Sequence, residues 1–198
     1  MKQKPAPLSA AFQDALTYAV ELHRGQLRKS SRTPYVGHLL GVVSLVLEAG
    51  GTETEAIAAL LHDAVEDQGG RETLQEIRTR FGDSIADIVD ALTDAYTVPK
   101  PPWKERKERF LISLQSAPPP VQLVALADKV HNARSLHREL LVHGDRIWNN
   151  FTGRKEGTLW YYRSLVSIFE DSDFRYLADE LIRLVALIHH LAKVPFSR

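Results

Sequence analysis

The 198-residue sequence contains no cysteine, which excludes disulfides, zinc ribbons and thiol catalysis and suits a reducing compartment. It also lacks any excess of charge, with 25 Lys and Arg against 25 Asp and Glu. No global field therefore draws the chain onto nucleic acid or an anionic membrane, and any anion site must come from local clusters of Lys and Arg. No apolar run approaches the roughly 20 residues of a membrane span. The start, Met1-Lys2-Gln3-Lys4-Pro5, is basic, but no apolar signal-peptide core follows it. The expectation is a cytoplasmic protein with neither nucleic acid nor membrane as partner; no feature sets its oligomeric state. What is present is ordinary globular composition, 44% hydrophobic and 25% charged, in a length that suits one domain, 1–198.

Strand periodicity is missing too: apolar residues recur at helical spacing along almost the whole chain. The spacing predicts a helix over 8–24, then a basic turn at Arg28-Lys29-Ser30-Ser31-Arg32. Thr33-Pro34 reads as an N-cap with proline at the first helical position, opening a helix that ends near Gly50-Gly51. Thr52 and Glu55 form a capping box for a helix running to about Asp67, broken by Gly69-Gly70. Helices follow to Phe81, from Asp83 to about Ala95, and from Trp103 to Ser116, the last preceded by a proline-rich linker, Val98–Pro102. Three more are expected at about 121–137, 155–170 and 174–193. The fold class is all-α, a single-domain helical bundle.

Chemistry concentrates in Leu60-Leu61-His62-Asp63-Ala64-Val65-Glu66-Asp67. On a continuous helix His62, Asp63, Glu66 and Asp67 would share one arc, opposite an apolar face. Three carboxylates so close together repel unless positive charge sits among them, and a divalent cation is the natural candidate. The plainer reading is a solvated helix face that happens to carry a histidine. A second signal weighs against it: Asp128 follows the apolar run Val121–Ala127, with Asn132 and Ser135 on its own face. A carboxylate there needs a partner.

Further blocks fall in a specific order: His23-Arg24-Gly25-Gln26 with Arg28-Lys29, Thr33-Pro34-Tyr35 leading to His38, Phe81-Gly82, Leu92-Thr93-Asp94, and Leu126 to Asn132. Together with Leu60–Asp67 they resemble the hydrolase domain of the RelA/SpoT family and its single-domain members, the small alarmone hydrolases, within the HD superfamily. The resemblance spans residues 8–137, leaving 138–198 to complete the bundle. It implies one divalent metal, manganese by preference, held by His38, His62, Asp63 and Asp128. It implies Glu66 and Asp67 as the acidic pair that positions or deprotonates water. Arg28 and Lys29 match residues lining the nucleotide pocket, with Arg24 beside them. Asn132, Arg134 and Ser135 match positions contacting the nucleoside or its phosphates, and Lys129 belongs to the same signature. The implied partner is a small nucleotide such as ppGpp, and the implied reaction is hydrolysis of its 3′-pyrophosphate to GDP or GTP plus pyrophosphate.

The sequence departs from the family pattern at Leu39, where proline is common, at Arg32, where glycine is usual, and at Gln68-Gly69-Gly70. None of these is an implied ligand. They leave open a related substrate, such as an adenosine alarmone or NADPH, and a catalytically silent nucleotide-binding module. His23, His131, His137 and His143 read as surface or packing histidines, and Trp160-Tyr161-Tyr162 as core or interface. The alternating charges from Lys104 to Arg109 read as a solvated helix face.

Overall fold

The computed structural model describes residues 7–97 and 99–196; Val98 and the basic start at Met1–Pro5 lie outside them. The described residues form ten α-helices and one 3-10 helix, with no strand beyond an isolated bridge between Leu27 and Pro34. The all-α expectation holds. In order, α1 is Ala10–Leu22, α2 Val36–Glu48, α3 Glu53–Leu61, α4 Ala64–Gln68, α5 Arg71–Phe81 and α6 Asp83–Leu92. Then come α7 Trp103–Gln115, α8 Pro119–His143, the 3-10 helix Gly144–Asn150, α9 Arg154–Phe169 and α10 Arg175–Leu191. Helix α8 is the axis: α2, α3, α6 and α10 all pack on it. Its first half is buried from Leu123 to Asp128, as is all of α3 from Ala56 onward.

Several boundaries differ from the sequence reading, each for a local reason. Helix α2 opens at Val36 rather than at Pro34, because Pro34 is taken up by a bridge to Leu27. Thr33 and Pro34 close a small hairpin instead, with Arg28 N–H donating to the Thr33 carbonyl and Tyr35 N–H to that of Gln26, both at 2.9 Å. Arg32 turns that hairpin at φ 59°, a left-handed conformation that glycine adopts more readily. The helix expected to run through Asp67 breaks after Leu61. There the His62 imidazole Nδ1 donates to the Ala59 carbonyl at 2.8 Å, the acceptor that continued helix would give to the Asp63 N–H. Helix α8 starts two residues early, since Pro119 and Pro120 occupy its first turn, where no N–H donor is required. It also runs past 137 to Gly144 (φ 58°). Helix α6 ends at Leu92 as Thr93 becomes extended, which turns Asp94 away from the helix.

Leu181 on α10 is fully buried. Leu181→Ala is expected to destabilise the fold by about 3 kcal/mol, read as a lower urea midpoint with an unchanged slope.

Candidate metal centre

Four side chains from three segments meet beside α8. His38 comes from the first turn of α2, His62 and Asp63 from the break between α3 and α4, and Asp128 from the middle of α8. His62 Nε2 lies 3.0 Å from Asp63 Oδ2 and 3.6 Å from Asp128 Oδ1; His38 Nε2 lies 3.5 Å and 3.2 Å from the same two oxygens. Metal bonds of about 2.0–2.2 Å set at tetrahedral or octahedral angles put neighbouring donor atoms roughly 3.0–3.5 Å apart, so this spacing fits a single cation. Both Nε2 atoms are buried and make no aligned hydrogen bond. Each faces the carboxylates with its other ring nitrogen engaged: Nδ1 of His62 on the Ala59 carbonyl, Nδ1 of His38 on Nδ1 of His131 at 2.9 Å. His38, His62 and Asp128 satisfy a metal-site geometry on their own.

The electrostatics ask for positive charge. Desolvation would depress the His62 imidazole, yet Asp63 and Asp128 reverse this and hold it well above its ordinary value. Burial likewise works against the charged carboxylates, but His62 with His38 at Asp63, and Lys129 with both histidines at Asp128, keep each well below the usual range. Asp128 is further braced by Lys129 Nζ and Asn132 Nδ2, each donating at 2.5 Å. Tyr35 Oη donates to Asp63 Oδ2 at 2.6 Å. His131 differs: burial, with the nearby His38 and Arg28, pushes it down to about 4, so it is neutral.

His62, Asp63 and Asp128 line a cavity of about 680 Å³, with His38 buried behind them. Glu66 and Asp67 sit on its wall. Glu66 Oε1 accepts from Lys100 Nζ at 2.6 Å, and Asp67 Oδ2 accepts from Gln26 Nε2 at 2.8 Å. Burial and the neighbouring Asp94 push the Glu66 carboxyl above its ordinary range, against the pull of Lys100. Arg28, Lys29, Lys100, Arg106, Lys107 and Lys129 all line the cavity, beside the carboxylates of Asp63, Glu66, Asp67, Asp94 and Asp128. Arg28 also donates to Asn132 Oδ1 at 2.6 Å. Trp103, Phe110, Phe151, Tyr161 and Tyr162 line it too, interleaved with the charges: Lys107 Nζ lies 5.4 Å from the centre of the Tyr161 ring and Lys129 Nζ 5.1 Å from that of Phe110.

Two of the seven expected substrate contacts are elsewhere. Arg24 is exposed on the turn after α1 and forms no part of the cavity wall. Arg134 points outward, its guanidinium forked on Glu180 of α10 at 2.6 and 2.8 Å. Arg28, Lys29, Lys129, Asn132 and Ser135 do line the cavity.

Other residues were missed. The run Lys104–Arg109 is not uniformly solvated, for Arg106 is buried and Lys107 half-buried, both bonded to Asp94. Although burial opposes it, Lys107 and Arg106 pull the Asp94 carboxyl down to about 2. Lys100 belongs to what reads as a plain linker. Tyr161 and Tyr162 are core residues that also face the cavity, and the segment from Asn150 to Gly153 lines it. The C-terminal helices thus shape the cavity as well as completing the bundle. The signal for Asp94 was its place in the quoted Leu92-Thr93-Asp94 block; its partners lie on another helix and leave no periodic trace.

A family model described as an HD domain matches residues 15–159. The human guanosine-3′,5′-bis(diphosphate) 3′-pyrophosphohydrolase MESH1 is 39% identical over 133 residues, covering 66% of this chain and 72% of that protein. The enzyme of the same name from Xenopus tropicalis is 39% identical over 136 residues, covering 66% and 72%. A solved metazoan SpoT ortholog, described as hydrolysing ppGpp, superposes with a TM-score of 0.75 at 29% identity, over 92% of this chain and 99% of its own. A Listeria monocytogenes structure superposes with a TM-score of 0.68 at 31% identity, over 77% and 99%.

Proposed function

The chain belongs to the HD domain family, and from that premise we propose that it is a metal-dependent guanosine 3′,5′-bis(diphosphate) 3′-pyrophosphohydrolase. Water and ppGpp give GDP and pyrophosphate, with cleavage of the ester bond between the 3′ oxygen and its phosphorus. The observation that carries this is the convergence of His38, His62, Asp63 and Asp128, with two orphaned imidazole nitrogens, at the base of a cation-lined cavity. We read the whole chain as one hydrolase domain, since residues beyond 138 contribute to that cavity.

Two imidazoles and two carboxylates suit a first-row divalent ion, and we assign manganese on the resemblance to the RelA/SpoT hydrolases. When bound, the cation acts as a Lewis acid toward water and a phosphoryl oxygen. The remaining work falls to the chain. Glu66 or Asp67 takes the proton of the attacking water; Lys100 holds the first and Gln26 the second in place. Arg28, Lys29, Lys100, Arg106, Lys107 and Lys129 offset the phosphate charge, and the arginines can do so with two parallel hydrogen bonds. Asn132 and Ser135 face the nucleoside or its phosphates. The aromatic side chains of the lining offer flat apolar area to the base. We propose the cytoplasm as its compartment and a small nucleotide as its partner; no described helix is long and apolar enough to cross a membrane.

The test is metal-stripped protein incubated with ppGpp, with and without manganese, and resolved by ion exchange. GDP and pyrophosphate formed only with metal are expected; intact ppGpp beside a turned-over adenosine alarmone or NADPH would reassign the substrate.

Asp94 touches no proposed ligand of the cation and orients Arg106 and Lys107. Asp94→Asn is expected to raise KM about tenfold, with a smaller change in kcat, as charge-assisted contacts worth ~1.5–3 kcal/mol lose their geometry. Initial rates over a range of ppGpp concentration check it.

A further inference from the structure

His131 has no place in the ligand set, yet it is the partner of one ligand. Its Nδ1 lies 2.9 Å from Nδ1 of His38, and the rings are 4.8 Å apart between centroids. Two ring nitrogens at this distance share one proton. If His38 is to offer Nε2 to a cation, its neutral ring must carry its proton on Nδ1. The proton then belongs to His38, and Nδ1 of His131 accepts it. Helix α2 makes room for this contact at one position: a Cβ added to Gly41 would lie 2.3 Å from both Cδ2 and Nε2 of His131. Any side chain there would drive the ring off its acceptor position. His62 has the same arrangement built another way, its Nδ1–H donating to a backbone carbonyl. The two imidazoles thus present equivalent Nε2 lone pairs through unlike supports, one of them a replaceable side chain.

We propose that His131 is a positioning residue for metal binding, fixing the tautomer and orientation of His38 from a notch kept open by Gly41. This rests on the metal-centre reading above. Outer partners of ligating histidines characteristically contribute about 10–100-fold to metal affinity. The probe is manganese, titrated calorimetrically into the metal-stripped full chain, with His62→Ala as the control for site occupancy.

His131→Leu is expected to weaken binding by about 10–100-fold, and Gly41→Ala to do likewise without touching His131. The double variant is expected to lose no more than the worse single, since both break one contact. Asn carries an acceptor oxygen close to where Nδ1 stands, while Gln carries it nearer Nε2. His131→Asn should therefore stay within about threefold of the parent and His131→Gln should fall with the leucine variant. The Asn and Gln pair decides the matter should the leucine variant fail to fold. Leucine or glutamine variants binding within about twofold of the parent would overturn the positioning role. A parent chain whose manganese binding is untouched by His62→Ala would instead overturn the metal-centre reading, and this inference with it.

Discussion

Glu66→Gln is expected to lower kcat by about 10²–10⁴-fold while leaving manganese affinity within about twofold of the parent. The two readouts separate because Glu66 is not one of the four converging side chains; it is held on the cavity wall by Lys100. Glutamine keeps the size of the side chain and an acceptor oxygen for that lysine, but cannot take a proton. A structural role would move both readouts or neither. Asp67→Asn is the matched comparison, because Asp67 sits one residue on and is anchored by Gln26. Whichever variant suffers the larger loss in kcat identifies the base, and the other carboxylate orients the water. Single-turnover rates at saturating manganese, with calorimetry alongside, make the measurement. Turnover retained by both variants would remove general-base catalysis by this pair.

Asp128→Asn is expected to abolish measurable turnover and to weaken manganese binding by at least about a thousandfold. The carboxylate serves two purposes. It faces both histidine Nε2 atoms at 3.2 and 3.6 Å, and it neutralises Lys129 at 2.5 Å in a buried setting. Asparagine keeps the outline but removes the charge from both. Leaving Lys129 without its partner is expected to cost roughly 3 kcal/mol of fold stability, so the variant should also unfold at lower urea without metal. A variant that loses activity yet binds manganese like the parent would remove Asp128 from the ligand set. A stability loss without any loss of binding would make its role that of a counterion for Lys129 alone.

Helix periodicity, the capping box at Thr52 and Glu55 and the glycines ending α2 and α5 were enough to read an all-α fold, because they record each helix's own exposed and buried faces. The ordered blocks carried the family. What escaped was set by contacts across elements. The break at His62 arises from a side chain competing for the Ala59 carbonyl, and helical spacing has no signal for that competition. Arg106 and Lys107 sit in an alternating charge run, and only the fold shows that Asp94 draws them inward. Arg134 fails in the reverse sense: it stands two residues after Asn132, yet Glu180 on α10 holds its guanidinium outward. The role of residues 150–162 was illegible for the same reason, since aromatic residues look alike in a sequence whether they face a core or a cavity.

The segment joining α6 to α7 is rich in proline, with Pro99, Pro101 and Pro102 around Lys100. Each proline removes backbone freedom that the unfolded chain would otherwise keep, worth about 0.4–1 kcal/mol where the ring fits the native angle. The Pro101 carbonyl, accepting from Arg106 Nε at 3.1 Å, ties the same stretch to α7. The ammonium of Lys100 thus reaches Glu66 from a backbone with little entropy left to lose. A glycine-rich segment of equal length could make every one of these contacts and would still hold the lysine there for a smaller share of the time.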